Sequence, residues 1–171
     1  GEKYPELGFN ARKKTGNKWF ETQDQIAYYP EFEKEKVVWK ALGLEPAFAF
    51  VPTGIYNNDK ANLLTSNTVS LKFLVGFFNS IIFQWLFRSI GINMGQGFEY
   101  KLQFIELIPL PPITPSNEPV VKQIEGLVDK ILEAKKQNPA ADTIPWEREI
   151  DELVYRLYQL TPDEIKIIEG G

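Results

Sequence analysis

The chain has neither cysteine nor histidine among its 171 residues. Disulfide frameworks, thiol nucleophiles and histidine acid–base chemistry are therefore excluded, and nearly all zinc and iron sites with them. The lack of cysteine suits a cytoplasmic setting, where thiols are kept reduced. No charged-then-apolar leader with a small-residue cleavage site opens the sequence, and no initiator methionine does. The expectation is a piece of a longer polypeptide rather than a secreted protein. No apolar run reaches the roughly 20 residues a bilayer needs, so no membrane partner is expected. Fixed-period repeats and low-complexity tracts are absent too.

Hydrophobic residues are abundant, at 43%, including 4 Trp, 7 Tyr and 12 Phe. A chain of this length buries roughly 70% of its unfolded surface, enough for one substantial core. The net charge of −4 is unevenly placed: residues 1–110 hold 12 Lys and Arg against 11 Asp and Glu, and residues 111–171 hold 7 against 12. A mildly basic body therefore precedes an acidic tail, which permits nucleic-acid binding through a local patch.

The stretch from Val69 to Pro112 organises the rest. Leu71, Leu74, Val75, Phe78, Ile82, Trp85 and Leu86 share one side of a 3.6-residue helix, while Lys72, Asn79, Ser80, Gln84 and Arg88 form a polar edge. The spacing predicts one buried helix over Thr68 to Ser89, capped by Asn67 or Thr68. After it come a polar loop punctuated by Gly91, Gly95 and Gly97, an alternating run through Tyr100, Leu102 and Phe104 that reads as a strand, and a proline-bounded exit. Upstream, Lys36 to Leu42 alternates, with Val37, Trp39 and Ala41 on one face and Lys36, Val38 and Lys40 on the other. Phe48 and Phe50 continue the pattern, and Leu63 to Thr65 makes a third short strand. Asn57, Asn58 and Asp59 form a turn.

Five prolines between Pro109 and Pro119 mark the clearest boundary. Beyond it, Ser116 or Asn117 caps a helix with Pro119 in its first turn, whose seam is Val120, Val121, Ile124, Leu127, Val128, Ile131 and Leu132. A second seam of Ile150, Leu153, Val154, Leu157 and Tyr158 pairs with it antiparallel. Thr161 caps a final short helix. The expected fold is thus α+β: a small, twisted, mainly antiparallel sheet packed on a buried helix in residues 1–112, then an antiparallel helical tail in residues 113–171.

Catalytic signals are poor. Asn138-Pro139-Ala140-Ala141 begins like the Asn-Pro-Pro-aromatic motif of amino-methyltransferases but lacks the second proline and the aromatic residue. Asp163, Glu164 and Lys166 sit in a helix cap, whereas a metal-dependent nuclease needs carboxylates converging from separate strands. No catalytic residue and no metal ligand is assigned. Binding signals are better. Arg12, Lys13, Lys14 and Lys18 cluster around Gly16, either as a solvated turn or as an arm that holds phosphates. The glycine loop is either a helix cap with a turn or a close approach to a partner. In the second case Arg88, Asn93, Gln96 and Lys101 supply donors, and Arg, Asn and Gln are the side chains that pair bidentately with guanine or adenine. Asn57, Asn58 and Lys60 lie on a second exposed loop.

The ordered landmarks Trp19-Phe20-Glu21, Lys36-Val-Val-Trp39, Leu74-Val-Gly-Phe-Phe-Asn-Ser80, Gly97-Phe-Glu-Tyr-Lys101 and Leu107-Ile-Pro-Leu-Pro-Pro112 resemble TaqI-like C-terminal specificity domains. These belong to type IIG restriction-modification enzymes and adenine-specific DNA methyltransferases. The ending, Ile150 to Thr161, resembles the C-terminal helices of the same proteins. The resemblance implies a target recognition domain that docks on duplex DNA. A separate N-terminal methyltransferase domain of the same polypeptide would bind S-adenosylmethionine and methylate a flipped adenine, with magnesium added if the parent also cuts DNA. Two rivals stand beside this: a helical protein-interaction module whose C-terminal seams dock a partner without DNA, and an enzyme with a carboxylate-only site.

Overall fold

The computed structural model of the chain describes residues 3–4, 9–10, 18, 28–58 and 60–170. The expected α+β class is what folds. The described elements are β1 (Lys3–Tyr4), β2 (Phe9–Asn10), a 3-10 turn (Tyr29–Glu33), β3 (Lys36–Lys40), β4 (Leu42–Gly43), β5 (Phe48–Val51) and β6 (Ala61–Leu64). They continue with α1 (Leu71–Phe78), α2 (Ile81–Ile90), β7 (Ile92–Asn93), β8 (Phe98–Glu99), α3 (Leu102–Ile105), α4 (Glu118–Gln137), α5 (Ile144–Tyr158) and α6 (Pro162–Ile168). All strand pairing among the described residues is antiparallel. It is divided among a β1-β2 pair, a sheet of order β5-β3-β6 and a sheet of order β4-β8-β7.

The run read as one strand from Lys36 to Leu42 serves two sheets, because the chain changes partner at Ala41. The alternation holds for Val37 and Trp39, which are buried, and for Lys40, which is exposed. It fails at Lys36, which is 0% exposed. Its Nζ donates to three carbonyls, Phe32 O at 2.9 Å, Lys34 O at 3.0 Å and Pro52 O at 3.4 Å, and so ties the 3-10 turn to the exit of β5. A long stem that can bend back lets a lysine satisfy its head group in backbone oxygens.

The single helix expected from Thr68 to Ser89 is two helices, bent by 68°. Ser70, not Asn67 or Thr68, accepts from Phe73 N at the start of α1. The break is made by side chains that the 3.6-residue pattern had placed on a polar edge. Asn79 turns its amide onto β5, accepting from Phe48 N at 3.0 Å and donating to Phe48 O at 2.8 Å. Ser80, 2% exposed, donates to Phe77 O at 2.7 Å and accepts from Phe83 N at 3.3 Å, which caps α2. Asp151 of α5 adds a second cap, accepting from Ile81 N at 2.9 Å. Among the described residues no single helix is long and apolar enough to cross a membrane.

The core is aromatic. Phe48 lies against Trp39, Phe78 and Phe83 at centroid distances of 5.3, 4.8 and 5.4 Å, and Phe87 stacks on Tyr100 at 4.5 Å. The tail closes the same core from the other side. Val121, Ile124, Leu127 and Val128 of α4 and Ile150, Leu153, Val154 and Leu157 of α5 are buried, as their seams predicted. Lys72 bridges Asp129 across α1 and α4 at 2.6 Å. Tyr158 stacks on Phe77 at 6.2 Å and donates to Pro109 O, and burial pushes its hydroxyl up to about 12. Asn117 is the cap of α4, but its side chain serves the preceding turn, accepting from Thr114 N and donating to Pro112 O, both at 2.8 Å. Thr161 caps α6 with a full capping box to Glu164, as its sequence indicated.

The alternating run through Tyr100, Leu102 and Phe104 is not a strand. Strand β8 stops at Glu99, Tyr100 is buried, and Lys101 O accepts from Phe104 N and Ile105 N to start α3. Tyr100 N still donates to Ala41 O at 2.8 Å, but from Lys101 onward the backbone carbonyls are spent on the turn of α3.

Asp151 sits where charge is costly. Burial raises its carboxyl from 3.8 to about 6, the Ile81 N–H opposes that rise, and Glu147, Glu169 and Glu152 add to it. A raised folded value means that the folded chain holds the proton more tightly than the unfolded one. This group's contribution is therefore fullest below about pH 4 and is lost as pH rises through 6. Asp151→Asn keeps an oxygen for Ile81 N and removes the charge. Its expected effect at pH 7.5 is a gain on the order of 1–2 kcal/mol after solvent screening, with a flatter stability profile between pH 4 and 7. Thermal melts across that range check it; a lower melting temperature for the variant at pH 7.5 contradicts it.

Candidate nucleic-acid interface

Ala41 is the junction on which the two candidate loops converge. Its N–H donates to Lys60 O at 3.3 Å, and its carbonyl accepts from Tyr100 N at 2.8 Å. The Asn57–Lys60 turn and the base of the β7-β8 hairpin thus hang on the same residue. Lys40 precedes it and Lys101 follows Tyr100, so the backbones of three exposed lysines, Lys40, Lys60 and Lys101, lie at or next to that junction. Lys101 pairs with Glu99 at 3.0 Å, which offsets part of its charge.

The turn is built by its asparagines. Asn57 Nδ2 donates to Ala61 O at 2.7 Å, and Asn58 Oδ1 accepts from Lys60 N at 3.1 Å. This is the local side-chain-to-backbone bonding for which Asn is favoured in turns. It occupies Asn58 with its own loop and leaves Asn57 half-buried. Asn57 Oδ1 is buried with no hydrogen-bond partner among the described residues. Asn58 and Lys60 are both exposed.

The hairpin is equally determined. Asn93 Oδ1 accepts from Gly95 N at 2.8 Å, and Met94 N donates to Gly97 O at 2.7 Å, which closes the tip. Gly97 has φ +146° and packs so closely on β4 that a Cβ would stand 2.6 Å from Gly43 O, so both its backbone angle and its space require glycine. Gln96 projects from this fixed tip, exposed. At the base, Trp39 Nε1 donates to Tyr100 O at 2.8 Å, and burial raises the Tyr100 hydroxyl. The side chain with most hydrogen-bonding freedom therefore stands on a rigid mount, which suits recognition.

The remaining candidates lie apart. Arg88, exposed in the last turn of α2, lines a cavity of about 450 Å³ with Arg148, Asp151, Glu152 and Glu169, on the side of the acidic tail. Lys18 is exposed. Arg12, Lys13 and Lys14 lie outside the described residues. Sequence reasoning did not propose Lys40, although the alternation that points it outward was visible. It also did not single out Leu42, Leu44, Ile92 and Met94, exposed by 57%, 72%, 41% and 56%, of which Leu42 and Ile92 flank Glu99 on one face of the second sheet. Their alignment depends on pairing between strands far apart in sequence. Among the described residues no group of three or more Asp or Glu side chains is placed to hold a metal ion.

The sequence pattern of the TaqI-like C-terminal specificity domain family matches residues 3–111, from β1 through α3 to the proline-rich exit. Helices α4 to α6 lie beyond the match. No curated protein matches the chain.

Proposed function

Because the chain belongs to the TaqI-like C-terminal specificity domain family, we propose that it recognises a specific duplex DNA sequence for a type IIG restriction-modification enzyme or a related adenine methyltransferase. The chemistry resides in another part of the parent polypeptide, an N-terminal domain that binds S-adenosylmethionine and methylates an extruded adenine. Any magnesium-dependent cleavage belongs to that other part as well. Base extrusion needs a separate surface that grips the duplex, and a rigid binding body fills that need. Such an enzyme works on DNA in the cytoplasm.

The observation that carries this reading is that the backbone of Ala41 joins the segments bearing exposed Lys40, Lys60 and Lys101 to the base of the hairpin whose tip carries exposed Gln96. Lysines supply phosphate contacts that are blind to sequence, and a glutamine on a fixed mount can pair bidentately with adenine. The rival helical interaction module has less to stand on. The α4 and α5 seams it assigns to a partner are already buried inside the chain.

The test begins with selection of a preferred duplex from a random pool. Changing Lys40, Lys60 or Lys101 to Gln is expected to weaken preferred and scrambled duplexes alike, lowering the salt slope by about 1 per lysine. Gln96→Ala is expected to cost roughly 1–3 kcal/mol on the preferred duplex alone and to relax one position. Equal losses on both duplexes for Gln96→Ala would remove it as a base reader. Binding indifferent to salt between 50 and 200 mM would remove the DNA reading altogether.

A further inference from the structure

The open edge of β5 borders a groove of about 580 Å³ whose floor is α1 and whose far wall is α4 and α5. We propose that this groove binds an extended basic peptide by strand addition, with an apolar side chain at alternate positions facing α1. Among the described residues β5 pairs with β3 alone, so its other edge has no described strand beside it in the sheet. The direction of its backbone groups follows from two contacts. Phe48 spends its N–H and carbonyl on the Asn79 side chain, away from β3. Ala41 N bonds Lys60 O, which puts the odd-numbered residues of β3 toward β6 and the even-numbered ones toward β5. Phe50 is in phase with Phe48, so its N–H and carbonyl also point away from β3, and Phe50 lines the groove.

Asn79 already stands in for a neighbouring strand at Phe48, and Pro52 has no N–H to offer. The open window is therefore one residue wide, enough for a short segment to form two backbone bonds at Phe50 and too short for a long ladder. Apolar side chains of the segment would meet Val75, Ile131, Leu132 and Ile144, the last 53% exposed. The charged lining is three carboxylates, Glu45, Glu147 and Asp151, against one guanidinium, Arg148. That balance selects a basic segment over an acidic one. No residue of the Ala41 junction lines the groove, so this site stands apart from the proposed DNA surface.

Titration of the whole chain with a fluorescein-labelled hexapeptide of alternating valine and lysine tests it, read by anisotropy. Saturable binding is expected, at least tenfold weaker for the valine–glutamate counterpart and for the valine–lysine peptide against Glu45→Lys/Glu147→Lys. Two further peptides carry N-methyl groups, on the valines or on the lysines. Loss of binding for only one of them supports edge pairing, the valine set marking antiparallel addition. If both methylated peptides bind like the parent, or if the glutamate peptide binds equally well, the proposal is overturned. Sedimentation of the chain as a dimer that the peptide dissociates would make a second copy the occupant, and would overturn it too.

Discussion

Gly76→Leu is expected to unseat α4 from α1 and to cost more than about 3 kcal/mol, at the upper end of overpacking effects. A Cβ at Gly76 would stand 2.6 Å from Ile124 Cγ2, 3.3 Å from Val128 Cγ2 and 3.6 Å from Ile150 Cγ2. None of these methyls can yield easily, since all belong to β-branched side chains in the buried core. Gly76→Ala meets the same first contact with less volume. Its clash is set against the roughly 1 kcal/mol by which alanine favours a helix interior over glycine, so a smaller loss is expected. At about 2–4 °C per kcal/mol, the leucine variant should melt roughly 6–12 °C lower than the parent chain. Thermal denaturation with limited proteolysis between Pro109 and Pro119 reads both effects. A leucine variant as stable and as protease-resistant as the parent would mean that α4 does not rest on α1 through this glycine.

Lys36→Met is expected to be nearly as damaging, at about 2–4 kcal/mol. Methionine preserves most of the stem's volume, so lost packing is a minor part of the effect. The larger part is that the part-buried carbonyls of Phe32, Lys34 and Pro52 lose their shared donor, and a methionine stem left in its fully buried place offers them none. Removing the buried charge returns some desolvation energy, which keeps the cost below that of three separate unsatisfied bonds. Lys36→Arg should recover only part, because a planar guanidinium does not fit three carbonyls arranged for a point donor. Urea unfolding of the three proteins gives the ordering; a Met variant equal to the parent would show the carbonyls rehydrated.

Where sequence reading succeeded, the signal was periodic and local. The α4 and α5 seams, the Thr161 capping box and the alternation of Val37 with Trp39 all rest on neighbours within one or two turns or pleats. Where it failed, a distant partner intervened. Asn79 and Ser80 occupy positions fit for a helix's polar edge, yet Asn79 bonds a strand 31 residues away and Ile81 is capped from 70 residues away. Such partners outweigh the weak helical preference of Asn and Ser. The same limit applied to the candidate site. Exposed loops rich in Asn, Gln and Lys were legible, but which of them lie side by side was not, since the segments of Lys60, Lys40 and Lys101 are brought together by strand pairing and the hydrogen bonds of Ala41.

By itself, then, the sequence determined the α+β class, the pairing of the helical tail and the absence of thiol and imidazole chemistry, since each depends on composition or short-range period. Only the tertiary structure decided that the central helix breaks, that Lys36 turns inward, that Arg88 joins the acidic tail side and that three lysines share one junction. Each depends on which groups meet once the core has closed: the helix breaks because side chains reach backbone 31 and 70 residues away, and even the nearer bonds of Lys36 need the exit of β5 folded back beside the 3-10 turn.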